Sequence, residues 1–319
     1  MDTAAYASDR AMVDARLRAL LARGGVPIPV RRFVLAGKQL RARCLFASAL
    51  RDSPPYGSYL VSASASIELL QAASLLHDDI VDRCVSRRGT ATFDAIAGTR
   101  AASVTGGYLM HFALEIISEL PRRARNAFAR AARDVCRGQM TELMRTGDVT
   151  LTPDGRTTIM EQKTASVFQL ACELGALLTG GSRDVIRAAR SFGRSFGILF
   201  QIADDVDDLY GTERELGRPP GADLRQGVVS LPLAFALSGD RSGALAATVE
   251  GMSDGGFPER LARCRHHVRE SGALRRSYEV AHEWACAALA ALESLPSARG
   301  VGWMTDVTSV TVARIERWL

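Results

Sequence analysis

The chain has 319 residues, 47% hydrophobic and 24% charged, with a formal net charge of +5. That length suits one large domain or two ordinary ones, and so modest a charge fits a nucleic acid, a membrane surface or an anionic substrate. No Lys/Arg-rich block with interleaved aromatics occurs, so nucleic acid is the weakest of the three. No run of about 18 uncharged apolar residues is present, which argues against a transmembrane segment, and residues 1–25 lack the apolar core of a signal peptide. The six cysteines (44, 84, 136, 172, 264, 286) are scattered without a CxxC pair. They read as buried, reduced thiols of a cytoplasmic protein and not as a disulfide frame or zinc site.

Aromatics are few, at 6%, and no interleaved strand-like runs appear, which points to an all-α fold in one domain over residues 1–319. Residues 9–23 read as a short amphipathic helix ending at Gly24-Gly25, and Pro27 and Pro29 as a linker closing the segment 1–30. Gly37 is expected to open the next helix, with Lys38 and Arg41 three apart on one side. Two cations near a helix start suit a diphosphate, although such a pair alone reads as ordinary surface. Residues 57–83 form a long, nearly polar-free helix with Glu68 and Gln71 as unusual polar guests. Arg87 and Arg88 follow on a loop, and arginine suits bidentate phosphate contacts. Helices are expected over 100–119, 122–146 and 157–180, with 147–156 a turn-rich loop. Lys163 and Thr164 lie in an apolar stretch and need a partner, which an anionic ligand would supply. A helix over 184–210 carries Gly193 and Gly197 for close packing. The Gly/Pro/charge-rich stretch 211–230 reads as a mobile flap, Ser230-Leu-Pro232 begins a further helix, and the last amphipathic helix, 276–295, stops at Pro296.

Two runs in this chain carry a chemistry. Ser74-Leu-Leu-His-Asp-Asp-Ile-Val-Asp82 and Gln201-Ile-Ala-Asp-Asp-Val-Asp-Asp208 each place acids at positions 1, 2 and 5 of an apparently buried helix. Asp78 and Asp82 are one turn apart, about 6 Å along the axis, as are Asp204 and Asp208, so each pair leaves one helix face. Like charges at that spacing destabilise a helix, and burial adds to the cost unless something neutralises them. Oxygen donors alone select a hard cation, Mg²⁺ or Mn²⁺, which shares its remaining positions with water and phosphate. One such run is equally readable as a solvated helix face; two, both in apolar flanks, favour the metal.

In order, the blocks GKQLR (37–41), IELLQAASLLHDDIVD (67–82), RRG (87–89), KTASVFQLACELGA (163–176), FGRSFGILFQIADDVDDLYG (192–211) and LGRPPGADL (216–224) resemble the trans-isoprenyl diphosphate (polyprenyl) synthases over nearly the whole chain. The resemblance implies a helical bundle around a deep cavity, commonly dimeric. It implies Mg²⁺-dependent condensation of isopentenyl diphosphate head-to-tail with an allylic diphosphate, giving all-trans products. It also implies three Mg²⁺ ions, with Mn²⁺ as an alternative. By motif position, Asp78, Asp79, Asp82, Asp204, Asp205 and Asp208 would be catalytic, with Asp78, Asp82, Asp204 and Asp208 as metal ligands. Lys38, Arg41, Gln71 and Arg88 would hold isopentenyl diphosphate. Arg87, Lys163, Thr164, Gln201 and Arg218 would hold the allylic diphosphate.

The sequence departs from the family pattern at four points. Ala42 and Ala91 replace prolines, Gly107 replaces an acid, and Val228 replaces a flap lysine. Ala73 and Ser74, small residues just before the first acidic run, imply a product of twenty carbons or more, with Leu70 a turn deeper as the floor. Two other readings are a terpene cyclase on the same scaffold and a non-catalytic partner subunit. The isopentenyl set argues against the cyclase, and both intact acidic runs argue against the inactive subunit.

Overall fold

The computed structural model describes residues 3–50, 56–87, 89–251, 256–295 and 300–319. Among these the chain is helical: α1 (Thr3–Arg23), α2 (Ile28–Leu35), α3 (Leu40–Ala47), α4 (Tyr56–Val81), α5 (Phe93–Ala97), α6 (Thr99–Ser118), α7 (Arg122–Met144) and α8 (Pro153–Met160). A π-helical turn, Glu161–Ala165, then leads into α9 (Ser166–Leu178) and α10 (Arg183–Tyr210). The remainder is α11 (Glu213–Leu216), α12 (Ala222–Gln226), α13 (Leu231–Ser238), α14 (Ala244–Val249), α15 (Phe257–Glu270), α16 (Ala273–Leu292) and α17 (Val301–Glu316). Sheet structure among the described residues is one antiparallel pair, Ser86–Arg87 with Thr90–Ala91.

Several boundaries differ from expectation, each for a local reason. α1 begins at Thr3 and not at residue 9, because Ala-rich sequence extends it and Tyr6 is buried. Pro29 does not belong to a linker; it starts α2, where a missing N–H costs nothing. Gly37 does not open α3: Gln39 caps it in the left-handed region at φ 49°, so Lys38 precedes the helix. Arg87 sits in the short strand pair and not in a loop. The stretch 147–156 ends in α8, whose first turn Thr152 caps by accepting from Gly155 N at 3.1 Å. The flap stretch 211–230 contains α11 and α12, the former closed by a reciprocal Thr212/Glu215 capping box. α17 was not anticipated, since its Val and Thr residues favour strands; Met304, Thr308, Thr311 and Ile315 are buried at helical spacing instead. Pro296 lies outside the described residues. All six cysteines are free, but Cys136 and Cys286 are exposed and not buried.

The chain divides into two compact units. One comprises residues 1–133, 167–193 and 290–306; the other comprises 134–166, 194–289 and 307–319. In the first unit α4 is the central helix, packed along α6 and touched by α1, α2, α3 and α5. The segment Gly57–Val81 is long and apolar enough to cross a bilayer (mean hydropathy 1.3), yet 67% of that window is buried in protein, as for a core helix. α1 also fixes the turn before α3. Tyr6 Oη donates to Gln39 O at 3.0 Å, Arg10 Nη2 to Gly37 O at 3.1 Å, and Gln39 Nε2 to Asp14 Oδ1 at 2.6 Å. In the second unit α13 packs on α8 and α15, and α14 on α15.

Gly193 allows a close approach of backbones: a Cβ there would lie 2.5 Å from Phe168 O. Gly193→Ala is expected to destabilise the protein by about 1–3 kcal/mol through overpacking, read as a lower urea midpoint at unchanged slope.

Candidate active site

The first unit holds the first acidic run on the C-terminal turns of α4. Asp78 is 9% exposed and Asp79 1%, while Asp82 lies just past the helix with its N–H on Asp78 O at 2.8 Å, so the one-turn spacing is kept. Gln71, Ser74, Asp78 and Asp82 recur at three- and four-residue spacing on a less buried face of α4. Leu70 and Ala73, at 1% and 0% exposure, belong to its packed side. Arg87 Nε donates to Asp79 Oδ1 at 2.7 Å, so this arginine is neutralised inside the protein; the negative field of Asp79 outweighs burial and strengthens its hold on the proton. Arg88 lies outside the described residues. Lys38 is exposed, and Arg41 stacks over the Phe168 ring, 4.6 Å from its centroid. Ala42 has a local role here: its N–H donates to Glu68 Oε1 at 3.1 Å, a bond proline could not make. Gly106 is filled by a neighbour too, since a Cβ there would meet His77 Nε2 at 2.5 Å.

The second unit holds the other acidic run, and its carboxylates divide the work. Asp205, 1% exposed, receives Arg156 Nη2 at 3.1 Å, Gln201 Nε2 at 2.9 Å and Leu231 N at 3.0 Å. Asp208, 2% exposed, takes Asp223 N at 3.0 Å, Ala222 N at 3.3 Å and Arg218 Nη2 at 2.8 Å. It thereby ties the stretch read as a flap to α10. Val228 N bonds Asp223 O at 2.8 Å in the same stretch. Burial, then repulsion from Asp208 and Asp205, pushes the Asp223 carboxyl well above its usual range. Asp204 keeps 41% side-chain exposure and pairs with Arg314.

Lys163 and Thr164 leave the main chain at the π-helical turn Glu161–Ala165, a geometry that recurs at functional sites. Gly138 on α7 is what lets the turn approach, since a Cβ there would sit 2.5 Å from Lys163 N. Thr164 Oγ1 bonds Gln201 Oε1 at 2.7 Å rather than its own helix. Lys163 Nζ donates to Glu142 Oε1 and Arg156 Nη1 to Glu142 Oε2, each at 2.6 Å. Burial would raise the Glu142 carboxyl, but Arg156 and Lys163 together hold it below the usual range. A continuous chain therefore runs Lys163–Glu142–Arg156–Asp205–Gln201–Thr164.

Glu142, Arg156, Asp207, Asp223, Arg314 and Arg317 were not anticipated. Arg156 sat in an expected loop, Arg314 and Arg317 lie in or beyond an unassigned helix, and Asp207 falls at an unused position of the acidic run. The donor chemistry of each run fits a hard cation: Asp78 and Asp82 in the first unit, and separately Asp204 in the second, are oxygen donors, and Mg²⁺ needs just one or two carboxylates when phosphate completes the shell. Asp208 fits less well as a direct ligand, because both its oxygens already accept hydrogen bonds.

Known proteins resolve the class. The polyprenyl synthetase family pattern matches residues 29–254. Component 2 of the heptaprenyl diphosphate synthase of Geobacillus stearothermophilus is 34% identical over 247 residues, 76% of each chain. The nonaprenyl diphosphate synthase of Mycobacterium tuberculosis is 30% identical over 281 residues, 86% of this chain and 83% of that one. A polyprenyl synthase from Caulobacter crescentus, solved with calcium and isoprenyl diphosphate, superposes with a TM-score of 0.84 at 29% identity, covering 97% of this chain and 94% of that one. The chain belongs to the polyprenyl synthetase family and is a prenyltransferase of all-α isoprenoid synthase fold.

Arg156 is 3% exposed and neutralises two carboxylates at once. Arg156→Met leaves Asp205 without its cation and Glu142 with Lys163 alone, and is expected to cost about 3–5 kcal/mol, measured by urea denaturation; a loss below about 1 kcal/mol, the level of a surface pair, would show the pair is dispensable.

Proposed function

We propose that this enzyme condenses isopentenyl diphosphate head-to-tail with an allylic diphosphate and releases a long all-trans prenyl diphosphate. The observation that carries this reading is the clustering of Lys163, Thr164 and Gln201, which motif position gives to the allylic diphosphate, with Asp205 of the second acidic run. Mg²⁺ held by Asp78 and Asp82 of the first run, and Mg²⁺ held by Asp204 of the second, would supply the charge that stabilises the departing diphosphate. The protein's own part is to bind and orient. Lys163 and Thr164 take the diphosphate oxygens, and Glu142 and Gln201 hold those two side chains in place beforehand, so little reorganisation is needed at reaction. Lys38, Arg41, Gln71 and Arg88 bind the second substrate. Arg218 stands beside Asp208 as the flap cation, with Val228 leaving the neighbouring position uncharged. No protein nucleophile is required.

The half-exposed side of α4 gives the chain-length reading its form. Ser74 sits on the same face as Asp78 and is half-buried, whereas Ala73 is sealed in the core. We assign Ser74 as the wall facing the growing chain. Ser74→Phe should shorten the product by at least one five-carbon unit, while Ala73→Phe should chiefly lower stability by about 1–3 kcal/mol. Chromatography and mass of the dephosphorylated products read the first outcome and thermal melting the second; an unchanged product ladder for Ser74→Phe would remove the assignment.

A homodimer is the assembly we propose. Val104, Tyr108 and Leu114 on α6 are 74%, 40% and 48% exposed, apolar side chains suited to contact with a second copy. The reading as a whole is tested by supplying the chain alone with Mg²⁺, isopentenyl diphosphate and allylic primers of increasing length. A ladder ending at a defined length is the expected result. A cyclic hydrocarbon formed without isopentenyl diphosphate would indicate a cyclase, and no product from folded protein a missing subunit.

A further inference from the structure

Asp207 has no part in the reaction as proposed, yet it accepts from three side chains near the end of the chain. It is 5% exposed and accepts from Arg314 Nε at 3.0 Å, Arg314 Nη2 at 2.8 Å, Arg317 Nη2 at 2.8 Å and Trp318 Nε1 at 2.9 Å. Arg317 Nη1 also reaches Glu215 Oε1 at 3.2 Å, and Arg314 stacks over Phe200 at 5.6 Å. The end of the chain is thus held on α10 through a carboxylate beside the acidic pair. From that position Arg314 Nη2 makes one further contact, to Asp204 Oδ1 at 2.6 Å. Asp204 is the exposed carboxylate of the run and the one with a donor of this kind alone among the contacts given above.

A guanidinium and a divalent cation do not share one carboxylate oxygen, because like charges at that separation repel. We propose that Arg314 is an internal counter-cation of the second acidic run, holding Asp204 until a metal diphosphate arrives and then releasing it while staying anchored on Asp207. The proposal rests on Asp204 being a metal ligand. Its geometric basis is the asymmetry of Arg314: two contacts bind it to Asp207 and one to Asp204, so the single contact opens without undocking the helix. Two consequences follow. Free metal binds the run weakly, because Arg314 must first be displaced. Diphosphate removes that penalty, because the released guanidinium gains an anionic neighbour.

The test is Mn²⁺ binding to the full chain, followed by electron paramagnetic resonance without and with inorganic pyrophosphate. Arg314→Gln is expected to tighten Mn²⁺ about threefold without pyrophosphate, the scale of one half-exposed ion pair, and to lose that advantage once pyrophosphate is present. Arg317→Gln touches Asp207 and Glu215 but not Asp204, and should match the parent within about twofold. Equal or weaker Mn²⁺ binding by folded Arg314→Gln overturns the proposal. A second measurement uses the unaltered protein, so it does not depend on the variant folding. The Trp318 indole N–H resonance should stay in its hydrogen-bonded position when Mg²⁺ and pyrophosphate are added, and its loss would show that the chain end leaves Asp207 and overturn the anchored release. If the parent binds no Mn²⁺ under either condition, the metal reading of Asp204 falls as well, which separates that failure from a failure of Arg314 alone.

Discussion

Buried carboxylates must be neutralised, and much of the second unit is arranged to do this. α10 carries four acids within five residues, three of them at most 5% exposed. Left unpaired, such charges would be incompatible with a stable core. Each receives a different solution. Asp205 takes Arg156 and two neutral donors, Asp208 takes backbone N–H groups and Arg218, and Asp207 takes the end of the chain. Only Asp204 keeps substantial exposure, and even it has Arg314. The acids therefore organise the elements around them: α8 through Arg156, the segment after α11 through Arg218 and Asp223, and α17 through Arg314.

The cations expected to meet diphosphate follow the same rule. Lys163 rests on Glu142, Arg87 on Asp79 and Arg218 on Asp208. Each pair keeps a charged side chain ordered without its ligand, and each is exposed enough on the cationic side (24%, 27% and 38%) for an anion to approach. Pre-pairing lowers the entropic cost of ordering a lysine or arginine at the moment of binding. Two departures from the family pattern have simple local settings. Ala42 supplies an N–H to Glu68 that proline would lack, and Gly107 borders open space, with nothing within 4 Å of where a Cβ would stand.

Local signals read correctly wherever the segment decides its own structure. The long helix ending in the first acidic run, the helix of the second run and the Ser230 start of α13 follow from periodicity and capping chemistry. Errors fell where tertiary packing outweighs propensity. α17 is rich in β-branched residues, and its helical form rests on the burial of Met304, Thr308, Thr311 and Ile315. Proline read as linker was proline at a helix start, and a glycine- and charge-rich stretch read as mobile is held to Asp208 by backbone hydrogen bonds.

By itself the sequence determined the helical class, the spacing of the two acidic runs and the side chains proposed to meet diphosphate, because one-turn spacing, donor type and charge are local properties. The tertiary structure decided which acids remain available. Asp205, Asp207 and Asp208 differ little from Asp204 as letters, yet their roles separate through partners that range from 4 to 111 residues away in sequence. It also decided the setting of Lys163, fixed by a π-helical turn, the space at Gly138 and the carboxylate of Glu142. Such roles depend on long-range neutralisation, and no local pattern encodes which cation reaches which acid.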